Sequence, residues 1–199
     1  MTGRFAKRPY AKRPYGVKGY ETLGILKRFP GRREIAALYG VIVLIIYSWT
    51  LVWFFWKFPS WINYLSIWEI VKAFCISVST NLFESLAVVA LPVLLAAILP
   101  QAWFRKEFVA RAVVLVAGGL GYMMYLATFF QGKEDYPSDA IQLVPWVALV
   151  LMLAVFLVGK SGFVCKAINA FAERATIFLY LYIPLSLICL LVVLAVLVF

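Results

Sequence analysis

Five apolar stretches alternate with polar gaps along this chain: Ile35–Trp56, Phe74–Leu99, Phe108–Phe130, Ile141–Gly159 and Ile177–Phe199. An α-helix rises ~1.5 Å per residue, so about 20 apolar residues cross a ~30 Å hydrocarbon core. Each stretch meets that length within ordinary tolerance. The pattern predicts an all-α, polytopic integral membrane protein of five transmembrane helices spanning residues 35–199, preceded by a separate tail over residues 1–34.

Composition supports this reading. At 65% hydrophobic and 14% charged residues, with a mean hydropathy of +0.94, a 199-residue globule would have far more apolar surface than it is able to bury. The formal net charge of +10 is not spread over a surface, because ten of the nineteen Lys and Arg residues lie between Arg4 and Arg33. Three more fall between spans 2 and 3 or in the first turn of span 3 (Arg105, Lys106, Arg111) and three between spans 4 and 5 (Lys160, Lys166, Arg174). The alternate gaps hold only Lys57, Lys72 and Lys133. Sixteen basic residues against three place the N-terminus in the cytoplasm and the C-terminus outside, by the positive-inside rule. Trp49, Trp53, Trp56, Trp61 and Trp68 cluster where span 1 leaves the membrane and predict an outer aromatic belt. Span 1 is read as a signal anchor, since bulky Phe54, Phe55 and Trp56 stand where a cleavage site needs small residues.

The tail carries a tandem repeat, Ala6–Tyr10 and Ala11–Tyr15, each Ala-Lys-Arg-Pro-Tyr. Pro9 and Pro14 oppose a helix, and aliphatic residues are too few for a core. Lys7, Arg8, Lys12 and Arg13 are expected to rest on anionic lipid headgroups, each contributing ~1 kcal/mol near the surface. The rival reading is a docking arm for nucleic acid or an acidic partner, because cations interleaved with aromatics suit phosphate contact and stacking. Nucleic acid is the less expected of these partners. Between spans 1 and 2, Trp61, Tyr64, Leu65 and Trp68 fall at i, i+3, i+4 and i+7, which predicts a segment over Pro59–Lys72 lying flat on the outer surface. Lys160–Arg174 predicts either an amphipathic inner-surface helix, with Phe163, Val164, Ala167, Ile168 and Phe171 on one face, or a simple extension of the last span.

The most polar intramembrane stretch lies in span 2: Ser77, Ser79, Thr80, Asn81, Glu84 and Ser85. Ser77, Asn81, Glu84 and Val88 stand at helical spacing and predict a polar stripe turned toward other helices. An acid at that depth costs a few kcal/mol unless neutralised or paired, and such residues are functional by default. Glu84, with Asn81, Ser77 and Thr80, is therefore the candidate intramembrane polar site. Thr50, Tyr125, Thr128 and Ser186 are at comparable depth and are its candidate hydrogen-bond partners. Ala117 and Gly121 give small-xxx-small spacing for close helix approach in span 3. Cys75, Cys165 and Cys189 are isolated in sequence and read as packing residues.

With no histidine, the chain has no imidazole for haem, for most zinc sites or for a Ser-His nucleophile. No GxSxG, P-loop or GxGxxG motif is present. The sequence therefore assigns no catalytic, cofactor or metal-binding residue, and expects a non-enzyme. The function it favours is an accessory or scaffolding protein of the cell membrane. Its partners are the bilayer, anionic headgroups and other membrane proteins. The alternative is a small transporter or channel subunit with Glu84 as a proton or cation site.

Overall fold

The computed structural model describes residues 30–99, 107–130 and 138–198. Its helices are α1 (Arg32–Trp61), α2 (Ile67–Ile98), α3 (Phe108–Phe129), α4 (Ser138–Val158), α5 (Gly162–Ala175) and α6 (Ile177–Val198), with no strand among the described residues. The chain is an all-helical, polytopic membrane protein. Three helices, α1, α2 and α3, are long and apolar enough to cross a bilayer, and so is the run Gly162–Val196 that contains α6. The apolar stretch Gln142–Val158 of α4 is shorter. The whole of α4 has 21 residues, ~31 Å of helix, and matches the hydrocarbon thickness. Residues 1–29 of the basic tail, including Lys7, Arg8, Lys12 and Arg13, lie outside the described residues, and its last residues, from Arg32 on, begin α1.

Side-chain contacts fix the direction of each helix. Tyr39 reaches Ser85, Thr50 reaches Asn81 and Phe54 packs on Phe74, so α2 runs antiparallel to α1. Gly40 lies against Ala175 and Tyr47 against Ser186, so α6 runs parallel to α1. Gly118 faces Leu151 and Gly159 faces Arg111, so α4 runs antiparallel to α3. The result collects Arg32, Arg33, Arg111, Lys160, Lys166 and Arg174 at one end of the bundle, with Lys57 and Lys72 toward the other.

α1 is the central helix and touches α2, α3, α5 and α6. Leu38, Val41, Ile42, Val43, Ile46 and Tyr47 are buried along it. The Tyr47 ring packs 4.6 Å from that of Tyr182, and its hydroxyl hydrogen-bonds Ser186. α4 lies at the periphery, packed on α3, with Trp146, Val150, Met152 and Leu153 exposed as lipid-facing residues. In a membrane such exposure needs no cover, because lipid tails are as apolar as leucine.

Four details correct or narrow the sequence reading. First, Pro59–Lys72 does not form one continuous segment. α1 continues to Trp61, five residues turn, and α2 starts at Ile67. A capping box sets that start: Ser66 Oγ accepts from the Glu69 N–H at 3.3 Å, while Glu69 Oε2 accepts from the Ser66 N–H at 2.8 Å. Second, α5 is a helix of its own, broken from α6 at Thr176, and it buries Cys165, Ala172 and Ala175 while exposing Phe163 and Phe171. Small residues face the bundle and the aromatics face outward, because close approach to α1 leaves no room for a ring. Third, Gly118, not Gly121, is the close-contact glycine of α3; a Cβ on Gly121 would meet nothing within 4 Å.

The fourth difference concerns cysteine. All three are buried, as packing residues are, but Cys75 of α2 and Cys189 of α6 lie close enough for their thiols to interact. Copper-phenanthroline treatment of membranes is expected to join this pair within the chain, while Cys165, whose thiol donates to the Val158 carbonyl at 3.1 Å, stays free. Thiol counting after denaturation should fall from three to one and recover with reductant. Three thiols surviving oxidation would contradict the α2–α6 contact.

Candidate functional site

α2 presents its polar residues on two different sides. Asn81, Ser79 and Ser85 are buried at 4%, 5% and 0% exposure, in line with Cys75, Val78, Pro92 and Ala96. They face α1 and the core. Asn81 Oδ1 accepts from Thr50 Oγ1 at 3.0 Å. Ser85 Oγ lies 3.2 Å from the Tyr39 hydroxyl and donates to the Leu82 carbonyl at 2.9 Å. These contacts clasp α1 to α2. Interhelical hydrogen bonds of this kind contribute ~0.6 kcal/mol each on average. Asn81 Nδ2 and Ser79 Oγ are buried without a partner among the described residues.

Glu84 is not part of that clasp. It is exposed, and so are Thr80, Phe83, Ala87 and Leu91, which share its side of the helix at i−4, i−1, i+3 and i+7. The predicted stripe therefore splits between Asn81, which turns inward, and Glu84, which turns out of the bundle. Ser77 and Thr80 satisfy their own hydroxyls by donating to the Ala73 and Ile76 carbonyls at 2.9 and 3.0 Å. The four candidate partners are engaged elsewhere or turned away. Thr50 serves Asn81, Ser186 serves Tyr47 and the Tyr182 carbonyl, Thr128 donates to the Met124 carbonyl, and Tyr125 is 60% exposed and stacks on Phe129. Glu84 makes no hydrogen bond or ion pair among the described residues.

Its depth makes this arrangement consequential. Along α2, Glu84 lies ~26 Å from Ile67 and ~21 Å from Ile98, which places it in the middle of a helix ~48 Å long. A carboxyl group there is turned away from the bundle at the helix centre. It has the capacity to accept hydrogen bonds from, or pair with, a group supplied from outside the bundle. Its flank carries the short side chains of Ala87 and Ala90, which allow another helix to come close. No group of three or more metal-ligating side chains occurs among the described residues. Comparison with protein-family models, curated proteins and solved structures gives no match.

Proposed function

We propose that this chain is an accessory or scaffolding subunit of the cell membrane that docks a transmembrane helix of another protein against the outer face of α2. The observation that carries this reading is the exposure of Glu84 at the middle of the apolar helix α2. Intramembrane acids almost always face a bundle interior or a water-filled cavity and pair there. One turned away from its own bundle calls for an interior that a second protein completes. The partner chemistry follows: a helix with small residues at the contact and a Lys, Arg or hydroxyl donor at the depth of Glu84. The transporter reading needs Glu84 on a path between this chain's own helices, and Glu84 turns away from them while Asn81 Oδ1 and Ser85 Oγ of α2 bind α1. Copurification in mild detergent tests the proposal: a membrane partner should accompany the wild-type chain and be lost with Glu84→Leu.

The docking face is also given an orientation. With the basic end in the cytoplasm, a membrane-impermeant maleimide applied to intact cells should label a cysteine introduced at Asn63 and not one introduced at Ser161. Equal labelling of both would overturn the N-terminus-in topology.

A further inference from the structure

At the basic end of the bundle a cleft of about 970 Å³ opens between the first turns of α1, the end of α5 and the first half of α6. Arg33, Glu34, Asn169 and Glu173 form its polar mouth, and an apolar floor runs along α6 through Leu179 and Ile183 to Pro184. Thr176 to Pro184 covers ~12 Å of helix, so the cleft passes from headgroup level into the hydrocarbon. Its volume lies within the range of about 300–1,000 Å³ typical of small-molecule sites. A polar mouth above an apolar slot at the membrane surface is the shape of a site for an amphiphile.

The polar groups choose among amphiphiles. Arg33 supplies one cation, suited to a phosphate. Glu34 and Glu173 supply two exposed carboxylates, neither paired with a cation among the described residues. Glu34 gives one oxygen to the Gly31 N–H at 2.8 Å and keeps the other free. Asn169 Oδ1 is buried and has no donor among the described residues. Pro184 lacks the N–H that would bond the Tyr180 carbonyl, and both residues line the cleft. Among the described lining residues, acceptors are thus in excess beside the Arg33 cation. A purely anionic headgroup would meet two carboxylates, and a quaternary ammonium has no N–H to donate. A primary ammonium has three.

We propose that this cleft binds a glycerophospholipid whose headgroup ends in a primary ammonium. Its phosphate rests on Arg33, its ammonium donates to Glu34, Glu173 and Asn169, and one acyl chain follows Leu179 to Pro184.

The test uses the full chain in vesicles of equal parts phosphatidylethanolamine, phosphatidylcholine and phosphatidylglycerol with identical acyl chains. After extraction in mild detergent, retained lipids are counted by native mass spectrometry. Phosphatidylethanolamine should be retained about tenfold or more over phosphatidylcholine, the equivalent of one charge-assisted hydrogen bond. Glu173→Gln and Asn169→Leu should each lower that preference by about tenfold. Excess free phosphoethanolamine should leave the lipid in place. Equal retention of the three lipids, or retention led by phosphatidylglycerol, would overturn the proposal, and the wild-type comparison alone reads this out. A preference unchanged in both variants would remove it from this cleft. Displacement by phosphoethanolamine would replace the lipid with a soluble amino-phosphate.

Discussion

Gly40→Leu is expected to prevent assembly of the bundle. A Cβ at Gly40 would stand 2.8 Å from the carbonyl carbon and oxygen of Ala175 and 2.9 Å from the nitrogen of Thr176. These are backbone atoms at the α5–α6 junction, so no rotamer change relieves the contact. Even Gly40→Ala should destabilise by about 1–3 kcal/mol, the usual range for overpacking. Leucine adds three more carbons at the same point and must separate α1 from the junction. Gly119→Ala is the matched control, since its Cβ would meet nothing within 4 Å. There the helix should gain up to ~1 kcal/mol from the lost backbone freedom of glycine. Thermal unfolding followed by size-exclusion chromatography should rank the three variants in that order. Equal stability of Gly40→Leu and the wild type would contradict the packing of α1 on α5 and α6.

Glu84→Leu is expected to separate folding from function. A structural clasp loses stability when its polar group is removed, as membrane hydrogen bonds do by ~0.6 kcal/mol on average. Glu84 has no bond of that kind to lose among the described residues. Leucine instead removes an acid from hydrocarbon, where charged residues cost a few kcal/mol on insertion scales. The isolated chain should therefore be as stable as the wild type or more so. Partner binding should nevertheless fall at least tenfold, because a hydrogen bond to a charged group is worth about 1.5–3 kcal/mol. Glu84→Gln keeps the accepting oxygen and should fall between the two. A Glu84→Leu chain that is unstable on its own would assign the residue to the fold.

Much of this architecture was legible in the apolar runs and in the placement of lysine and arginine, because helix length and charge asymmetry are local properties of the chain. The start of α2 was missed, although the Ser66-Ile67-Trp68-Glu69 capping signature stands there. Hydropathy obscured it, since the aromatic residues around it also suit an interface. The orientation of Glu84 was not readable. In a soluble helix the apolar face marks the core, but in a membrane helix lipid and core are equally apolar and the pattern loses its sense of direction. The stripe from Ser77 to Glu84 was located, and the side of it that turns inward was decided by where Tyr39 and Thr50 of α1 stand. Gly40 and the Cys75–Cys189 pair were hidden for a related reason. Each depends on an element distant in sequence, and a single glycine or cysteine in an apolar run carries no mark of what will pack against it.

The docking face of α2 is tested most directly by a photo-crosslinking residue placed at Phe83 or Leu91, which flank Glu84 and are 59% and 54% exposed. Irradiation in cells should give an adduct to one membrane protein. The crosslinked peptide should be a transmembrane helix with a Lys, Arg or hydroxyl residue within about one turn of the attachment point. The same probe in a Glu84→Leu background, and a probe at Trp146 on the lipid-facing side of α4, should not give that adduct. Lipid adducts alone at Phe83 and Leu91, or a protein adduct indifferent to Glu84, would contradict the account.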